Sequence, residues 1–337
     1  MKRVFLAALA LAAISIAAVA ALATSSVAKA SANCTPTGFF RDGINLTAAQ
    51  IGGSVTGALD ATGCNIGVYY GPGTTGSVSG ADISSANYYG VVVNAAKVNI
   101  TSSKVHDIRE TPLDGTQHGV GIFYTTLNQD GTSTGAAATG TVSGNTLTAY
   151  QKGGIVANGP GAAVTVSGNT VTGKGATDLI AQNGIQMGRG ATGSITGNTV
   201  AGNAYTGANG ASSAGILVFG GAPYAYTTGV SISNNKLTDN DMGVYVYNAD
   251  GSGNAPTTKT NNSIVNNTIS NSLGASNVSG NGNGTGYQVG ILDLGNHDNI
   301  VNNKISGSGY DAKTLPNPGF SGSMDLTGST RPHSNNN

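Results

Sequence analysis

The chain has 337 residues, of which 15 are basic and 15 acidic, so its formal net charge is zero and only 9% of its residues are charged. This composition provides neither the basic patch that nucleic acids require nor a polybasic run for a membrane surface. With 53 glycines and no tryptophan, the chain has a composition that also occurs in disordered proteins. Its apolar residues nevertheless alternate regularly with polar ones, which favours a folded β protein.

Residues 1–32 have the features of a secretory signal peptide. Two basic residues precede an apolar stretch from Val4 to Ala23, and small residues that suit cleavage follow at 30–32 or, alternatively, at 28–30. The stretch is also long enough for a retained membrane anchor. The small-residue motif and the polar sequence after it favour cleavage. We therefore expect a secreted, extracellular protein without a membrane contact after cleavage.

The chain contains two cysteines, Cys34 and Cys64. In an oxidising compartment they are expected to form a disulfide, which is worth about 3–4 kcal/mol in the chain-entropy model. A metal site would need further ligands, and no histidine lies between or close to the cysteines. The sequence therefore predicts an N-terminal cap region at 33–66 that contains this disulfide.

A repeated unit of short strands occupies residues 67–308. Each unit has a glycine-led apolar strand and two shorter strands that meet at a polar corner, and no hairpin signal separates them. The corners are at Ala81, Ser103, Asn145, Asn169, Asn198, Asn235, Asn267 and Asn303. Identical units favour parallel stacking, in which each strand pairs with its equivalent in the next unit. Asparagine suits the corner because it tolerates left-handed backbone angles and its amides can form a ladder.

Recurrent phrases such as Ser143-Gly-Asn-Thr-Leu147, Ser167-Gly-Asn-Thr-Val171 and Val301-Asn-Asn-Lys-Ile305 carry a family resemblance. They resemble the right-handed parallel β-helix repeat family, whose best-known members are pectate-lyase-like proteins. The resemblance covers about residues 60–308 and implies an all-β fold, a right-handed parallel β-helix. Its eight glycine-led strands indicate about eight coils at 67–308, and we expect a monomer. Residues 309–337 carry no repeat, and we expect a C-terminal cap and a disordered tail there.

The catalytic motifs of hydrolases in this family are missing. In polygalacturonase-like members an Asn-Thr pair is followed by Asp, whereas each repeat here places Leu147, Val171, Val200 or Ile269 after Asn-Thr. His118 is followed by glycine but preceded by Gln117, so the Gly-His-Gly motif is incomplete. The chain is therefore not expected to be a standard glycoside hydrolase, and the fold by itself does not identify a function.

Charged residues are concentrated between Lys104 and His118. Aligned on the repeat, Val105 corresponds to the inward-facing Val171, so the two neighbours of Val105 should face outward. Eliminative cleavage of a uronate polysaccharide requires a base that removes the proton α to the carboxylate and a cation that holds the carboxylate. The candidates for these catalytic roles are His118, Arg109, His106 and Lys104.

The same segment contains three carboxylates, Asp107, Glu110 and Asp114, which are candidate ligands for Ca²⁺. Ca²⁺ is the one cofactor that the sequence suggests. The alternative is that the segment is a salt-bridged loop pinned to the surface of the sheet, because exposed clusters of charge are usually solvated.

An apolar and partly aromatic row should face outward between the two inward residues of each glycine-led strand. Tyr69, Phe123 and Tyr245 are its aromatic members. Aromatic rings along a groove suit the apolar faces of sugars, which makes these three residues candidate substrate-binding residues. The alternative is that long loops fold over the row.

Two functional hypotheses follow. The first is a secreted protein that associates with extracellular polysaccharide or cell-surface glycan, by binding and by eliminative cleavage if the charged segment is catalytic. The second is a non-catalytic surface or adhesion scaffold. Convergence of the charged segment and the aromatic row in one groove favours the first hypothesis, and a loop-covered row favours the second.

Overall fold

The computed structural model describes residues 33–207, 211–273, 288–310 and 324–325. The predicted signal peptide at 1–32 lies outside the described residues, as does nearly all of the predicted C-terminal cap and tail. The described residues are mostly β, with 57% of them in strands and 1% in helix. No helix in the described parts of the chain is long and apolar enough to span a membrane.

The strands are short and follow one another closely, as the alternating pattern predicts, and a 3₁₀ helix at Ser308–Tyr310 follows the repeats. In chain order the strands are β1 (Thr35–Arg41), β2 (Ile44–Ile51), β3 (Gly53–Asp60), β4 (Ile66–Tyr70), β5 (Thr75–Ser84), β6 (Tyr89–Asn94), β7 (Lys97–Thr101), β8 (Lys104–Ile108), β9 (Val120–Thr125), β10 (Ala138–Ser143), β11 (Thr146–Tyr150), β12 (Gly153–Asn158), β13 (Ala162–Ser167), β14 (Thr170–Thr177), β15 (Asn183–Gly188), β16 (Thr192–Thr196), β17 (Thr199–Tyr205), β18 (Ala214–Gly220), β19 (Ser231–Ser233), β20 (Lys236–Thr238), β21 (Met242–Asn248), β22 (Ser263–Val265), β23 (Thr268–Ser270), β24 (Val289–Leu294), β25 (Asn299–Val301), β26 (Lys304–Ser306) and β27 (Met324–Asp325).

These strands form two long sheets, which we call sheet A and sheet B. Sheet A has eleven strands in the order β1-β2-β4-β6-β9-β12-β15-β18-β21-β24-β27, and every pair except β1–β2 is parallel. Sheet B has sixteen strands, and β5 joins its two halves by pairing with both β7 and β8. A typical repeat contributes one strand to sheet A and two strands to sheet B. The predicted parallel stacking of equivalent strands is therefore confirmed.

The register aligns equivalent side chains, which explains the core. Ile155 pairs with Ile185, and Ile185 pairs with Ile216 in the next strand. These residues are at most 1% exposed and belong to one continuous cluster of buried side chains from both sheets. The glycine that leads each strand of sheet A allows close approach, because a Cβ atom on Gly154 would overlap the side chain of Val171 and the backbone of Gly184.

The predicted asparagine ladder is present at the corner between the two halves of sheet B. The backbone N–H and the Nδ2 of Asn145 both donate to Oδ1 of Asn169, each at 2.9 Å. The same two bonds recur at each later step of the series Asn169, Asn198, Asn235, Asn267 and Asn303. The ladder therefore satisfies buried polar groups inside the corner and fixes the register of neighbouring repeats.

The expectation that the ladder asparagines adopt left-handed backbone angles is wrong by one residue. The left-handed residue is the one that precedes the ladder asparagine. It is Gly168 (φ 62°) before Asn169, but Asn234 (φ 57°) before Asn235. Both residue types tolerate a positive φ, which explains why the corner has the sequence Gly-Asn in some repeats and Asn-Asn in others.

Variation in repeat length is confined to the two ends of the sheet A strands. The corner between β13 and β14 contains two residues, and so does the corner between β19 and β20. By contrast, ten residues connect β18 to β19, and eleven connect β8 to β9. The long loops therefore lie at the two ends of the sheet A strands, and candidate sites are expected there.

The disulfide between Cys34 and Cys64 is present, as predicted, with Cα atoms 5.5 Å apart. It ties the start of β1 to the segment before β4, so that the antiparallel hairpin β1–β2 is anchored at its base. The hairpin forms the N-terminal edge of sheet A. The domain boundary at residue 66 stays a prediction.

Candidate functional site

The register of the charged segment agrees with the sequence alignment. Val105 pairs with Leu147 and is 1% exposed, so it faces the core. Its neighbours Lys104 and His106 pair with Thr146 and Thr148 on the outer face of sheet B. Lys104 is exposed and His106 is partly exposed. The two predicted catalytic residues of this strand therefore face solvent.

His106 lies between two carboxylates. Its Nδ1 is 2.8 Å from Oδ2 of Asp107, and its Nε2 is 2.8 Å from Oδ1 of Asp82 on the neighbouring strand. The hydrogen bond with Asp107 is the main cause that raises the pKa of His106; burial opposes it and the bond with Asp82 adds to it. Arg109 pairs with the same Asp107 at 3.1 Å. Both imidazole nitrogens are engaged, so the geometry stabilises the protonated form of His106 rather than a free base.

His118 has a different environment. It is 5% exposed and stacks on Tyr88, with ring centroids 3.8 Å apart. Its Nε2 is 2.7 Å from Oε1 of Glu110, and its Nδ1 is 3.8 Å from Oδ2 of Asp42 at the tip of the β1–β2 hairpin. The hydrogen bond with His118 is the main cause that lowers the pKa of Asp42. His118 therefore connects the hairpin to the charged loop and shares no partner with His106.

Gln151, which sequence reasoning missed, organises the turn between Glu110 and His118. It is fully buried, and its Oε1 accepts a hydrogen bond from the backbone N–H of Glu110 at 2.9 Å. Its Nε2 donates to Oδ1 of Asp114 at 2.9 Å and to the hydroxyl of Thr116 at 2.6 Å. No local pattern signals this role, because Gln151 lies one repeat further along the chain than the turn it holds.

The structure does not bring the three candidate calcium ligands together. Asp107 is paired with His106 and Arg109. Glu110 accepts hydrogen bonds from Asn87 and His118, whereas Asp114 accepts from Thr116 and Gln151. The described part of the chain contains no group of three or more His, Cys, Asp or Glu side chains placed to hold a metal ion. Each carboxylate has its own local partners instead.

A cavity of about 370 Å³ lies beside the charged segment, next to the disulfide. Asp107, Arg109 and Glu110 line it, together with Asn87 from the turn before β6. Nε of Arg109 is buried and has no hydrogen-bond partner among the described residues. Thr62, Ser85 and Thr111 complete the polar lining. The cavity thus places hydrogen-bond donors and acceptors around a guanidinium group.

The predicted aromatic row does not form one exposed surface, because its first half is covered. Tyr69 is 5% exposed and Phe123 is 8% exposed. They belong to a second hydrophobic cluster that also includes Leu46 of β2, and Phe39 of β1 lies 5.9 Å from Tyr69 between ring centroids. The hairpin therefore covers these two residues, which corresponds to the covered alternative for this half of the row. Their role in substrate binding stays a prediction.

The second half of the row is partly exposed. Tyr245 is half-buried and lies 5.7 Å from Tyr247 in an edge-to-face arrangement. Tyr247 in turn stacks on Phe219 at 6.0 Å, and Phe219 lies 6.4 Å from Tyr224 in the loop after β18. Tyr245 thus belongs to an aromatic group at the end of sheet A opposite the charged segment, and the two do not converge in one groove.

Lys152 is a further residue that sequence reasoning missed. It lies immediately before β12 and its Nζ donates to the backbone carbonyl of Ala181 at 2.8 Å. Burial lowers the pKa of Lys152 to about 8. Nothing in the Gln-Lys-Gly-Gly sequence distinguishes this lysine from a solvated one, because its desolvation comes from neighbouring repeats.

Comparisons of the chain with protein-family models, with curated proteins and with solved structures found no match.

Proposed function

We propose that this protein is a secreted, right-handed parallel β-helix protein of the pectate-lyase-like kind that binds an extracellular polysaccharide or cell-surface glycan. The parallel register of both sheets and the asparagine ladder support the fold. The signal-peptide pattern of residues 1–32 and the disulfide support secretion. Polysaccharide binding is the function that the described geometry supports best.

The cavity beside Arg109 is the observation that carries this proposal. Sugars present many hydroxyl groups that both donate and accept hydrogen bonds, so their sites combine donors with acceptors. Here the guanidinium group of Arg109 supplies donors, while Asp107 and Glu110 retain acceptor capacity beyond their present partners. A cavity of about 370 Å³ accommodates a ligand of the size of one or two sugar rings.

The same geometry favours binding over eliminative cleavage. A catalytic base needs a free lone pair within reach of the substrate proton. His106 is held between two carboxylates, and His118 is buried against Tyr88 and Glu110. Lys104 faces outward on sheet B, away from the buried histidine. We therefore assign these residues a structural role in the charged loop rather than a role in proton abstraction.

The second candidate function is a non-catalytic adhesion scaffold, and the hairpin favours it. The hairpin covers Tyr69 and Phe123, so the first half of the aromatic row contributes to the core and not to a groove. A repeat protein whose terminal strands and loops are packed in this way is a stable scaffold for adhesion.

The test is a binding titration of the mature protein against a panel of uronate-containing and neutral polysaccharides, by calorimetry, with the wild type compared with Arg109→Gln. Saturable binding that weakens about tenfold in Arg109→Gln is expected, because loss of a charge-assisted hydrogen bond costs about that much. Lys97→Gln is the matched control, since Lys97 is an exposed cation on sheet B outside the cavity.

Two outcomes would overturn the proposal. Absence of binding to every polysaccharide would favour the scaffold function. Equal affinities of the wild type and Arg109→Gln would remove the cavity as the site. Ultraviolet absorbance of an unsaturated product, followed on the same panel, separates binding from cleavage.

A further inference from the structure

Arg189 is a partly buried cation that has no counter-ion among the described residues. It follows β15 directly, with a left-handed backbone angle (φ 56°). Its guanidinium carbon lies 4.0 Å from the centroid of the Tyr224 ring. Within the described parts of the chain no carboxylate pairs with Arg189, and its Nε is buried without a hydrogen-bond partner. A desolvated guanidinium group with an unused donor is unfavourable unless an acceptor binds to it.

The backbone around Arg189 is held rigidly, so the side chain is presented in one place. The N–H of Arg189 donates to the carbonyl of Phe219 at 2.6 Å. The next N–H, that of Gly190, donates to the hydroxyl of Thr227 at 3.0 Å, and this hydroxyl donates to the same carbonyl of Phe219 at 2.7 Å. Thr227 is fully buried, and its N–H donates to Oδ1 of Asn248 at 2.9 Å. A site on such a framework pays little ordering cost when a ligand binds.

Aromatic rings adjoin the guanidinium group. The Tyr224 ring lies against Arg189, and its centroid is 6.4 Å from that of the Phe219 ring. Phe219 is partly exposed and is nearly parallel to Tyr247, at an interplanar angle of 8°. Partly exposed rings beside a cation provide an apolar surface for a ring-shaped ligand and a charge for its substituent.

Burial disfavours the charged form of Arg189. It is the main cause that lowers the pKa of this guanidinium group; the positive charge of Arg41 acts in the same direction, and Tyr224 opposes both. An anion bound at Arg189 would offset this cost of burying the charge.

We propose that Arg189 and the Tyr224 ring form a second glycan site, which takes the anionic substituent, carboxylate or sulfate, of an acidic sugar residue. The sugar ring lies against the aromatic surface of Phe219 while its substituent accepts hydrogen bonds from the guanidinium group. The inference rests on the proposed function, since it presumes that the protein binds a glycan. It adds the acidic character of that glycan and a site that is separate from the Arg109 cavity.

The two sites lie at opposite ends of the sheet A strands. Arg109 lies in the loop that leads from β8 into the first residue of β9, whereas Arg189 follows the last residue of β15. Substitution at one site should therefore leave the other intact, and the two sites can be tested independently.

The experiment measures the affinity of the full mature protein for three oligosaccharides of equal length: a uronate, a sulfated sugar and a neutral sugar. Arg189→Gln should weaken binding of an acidic oligosaccharide about tenfold and leave the neutral one unchanged, because one charge-assisted contact is lost. Tyr224→Ala should weaken the same ligand. Lys174→Gln is the matched control, since Lys174 is an exposed cation outside the aromatic group. The acidic ligand whose affinity falls identifies the substituent as carboxylate or sulfate.

The two proposals fail in distinguishable ways. If the wild type binds an oligosaccharide and Arg189→Gln binds the acidic ligands equally well, the Arg189 site is overturned while the proposed function stands. If the wild type binds none of the three, both proposals are overturned. Circular dichroism of each variant, compared with the wild type, ensures that a loss of affinity is not a loss of folding.

Discussion

The imidazole of His118 stacks on the ring of Tyr88, with centroids 3.8 Å apart and an interplanar angle of 19°. This stack places a histidine that the sequence suggests as a catalytic base inside a hydrophobic cluster, because Tyr88 belongs to the cluster that the hairpin covers. The carboxylate of Glu110, 2.7 Å from Nε2, completes its environment. Such a histidine is a structural connection between the hairpin, the charged loop and sheet A.

His118→Ala should therefore destabilise the protein. The substitution removes the stack on Tyr88 and leaves Glu110 without one of its donors. The expected loss in the free energy of unfolding is about 2–3 kcal/mol, measured by urea denaturation. Gln117→Ala is the matched control, because Gln117 is exposed and adjacent in sequence, and its effect should stay within about 0.5 kcal/mol. Equal effects of the two variants would contradict the structural role.

His106 should titrate at a higher pH than an ordinary histidine, whose pKa is 6.5. Since the folded-state pKa is raised, the stabilisation from its two ion pairs is fully present below pH 6.5 and is lost as the pH rises through the folded-state pKa. Imidazole NMR signals followed against pH measure this pKa directly. Asp107→Asn should lower it more than Asp82→Asn, because the bond with Asp107 is the larger cause. A pKa of His106 at or below the ordinary value would mean that the two carboxylates do not stabilise its protonated form.

Asn198→Ala should be among the most destabilising single substitutions in the repeats. Its Nδ2 donates to Oδ1 of Asn235 at 3.0 Å, and its Oδ1 accepts two bonds from Asn169, each at 2.9 Å. The variant leaves these buried groups unsatisfied, and a loss of about 3 kcal/mol in the free energy of unfolding is expected. The neighbouring Thr199→Ala, on the exposed face, is the control and should change stability by less than about 0.5 kcal/mol. If Asn198→Ala lowers the free energy of unfolding no more than Thr199→Ala does, the ladder does not fix the register.

Replacement of Cys34 and Cys64 by serine should loosen the hairpin. The chain-entropy model gives a loss of about 3–4 kcal/mol for a loop of this length, and calorimetry of the double variant measures it. Limited proteolysis should then cut between Thr35 and Ile51 while the later repeats stay protected. Addition of reductant to the wild type should reproduce both effects. Cleavage at the same rate in the oxidised wild type and the double variant would mean that packing alone holds the hairpin.

The repeated architecture could be predicted because each unit carries its own local signal. Strands led by Gly154 and Gly184 are recognised by alternation, and the corners by Gly-Asn. Equivalent residues then meet simply because the units stack. The correspondence of Val105 with Val171 was predicted on the same basis, and the structure aligns the two through Leu147. The outward direction of Lys104 and His106 was predicted in the same way.

The environment of the candidate site could not be predicted in this way. Charge and residue type identified His118, Asp107 and Arg109 as unusual, but not their partners. Gln151, which holds the loop, and Asp42, which approaches His118 from the hairpin, are 33 and 76 residues away from His118 in the chain. Loop residues make contacts that no periodic pattern encodes.

The sequence by itself determined the strands, the corners and the parallel stacking, because these depend on residue types that recur from one unit to the next. It determined the disulfide because the chain contains just two cysteines. The tertiary structure alone decided which outward side chains are covered and which charges are paired. The hairpin buries Tyr69 and Phe123, whereas Arg189 meets Tyr224 without a carboxylate beside it among the described residues. These outcomes depend on where loops of unequal length fold back on sheet A, and desolvation is a property of that three-dimensional packing.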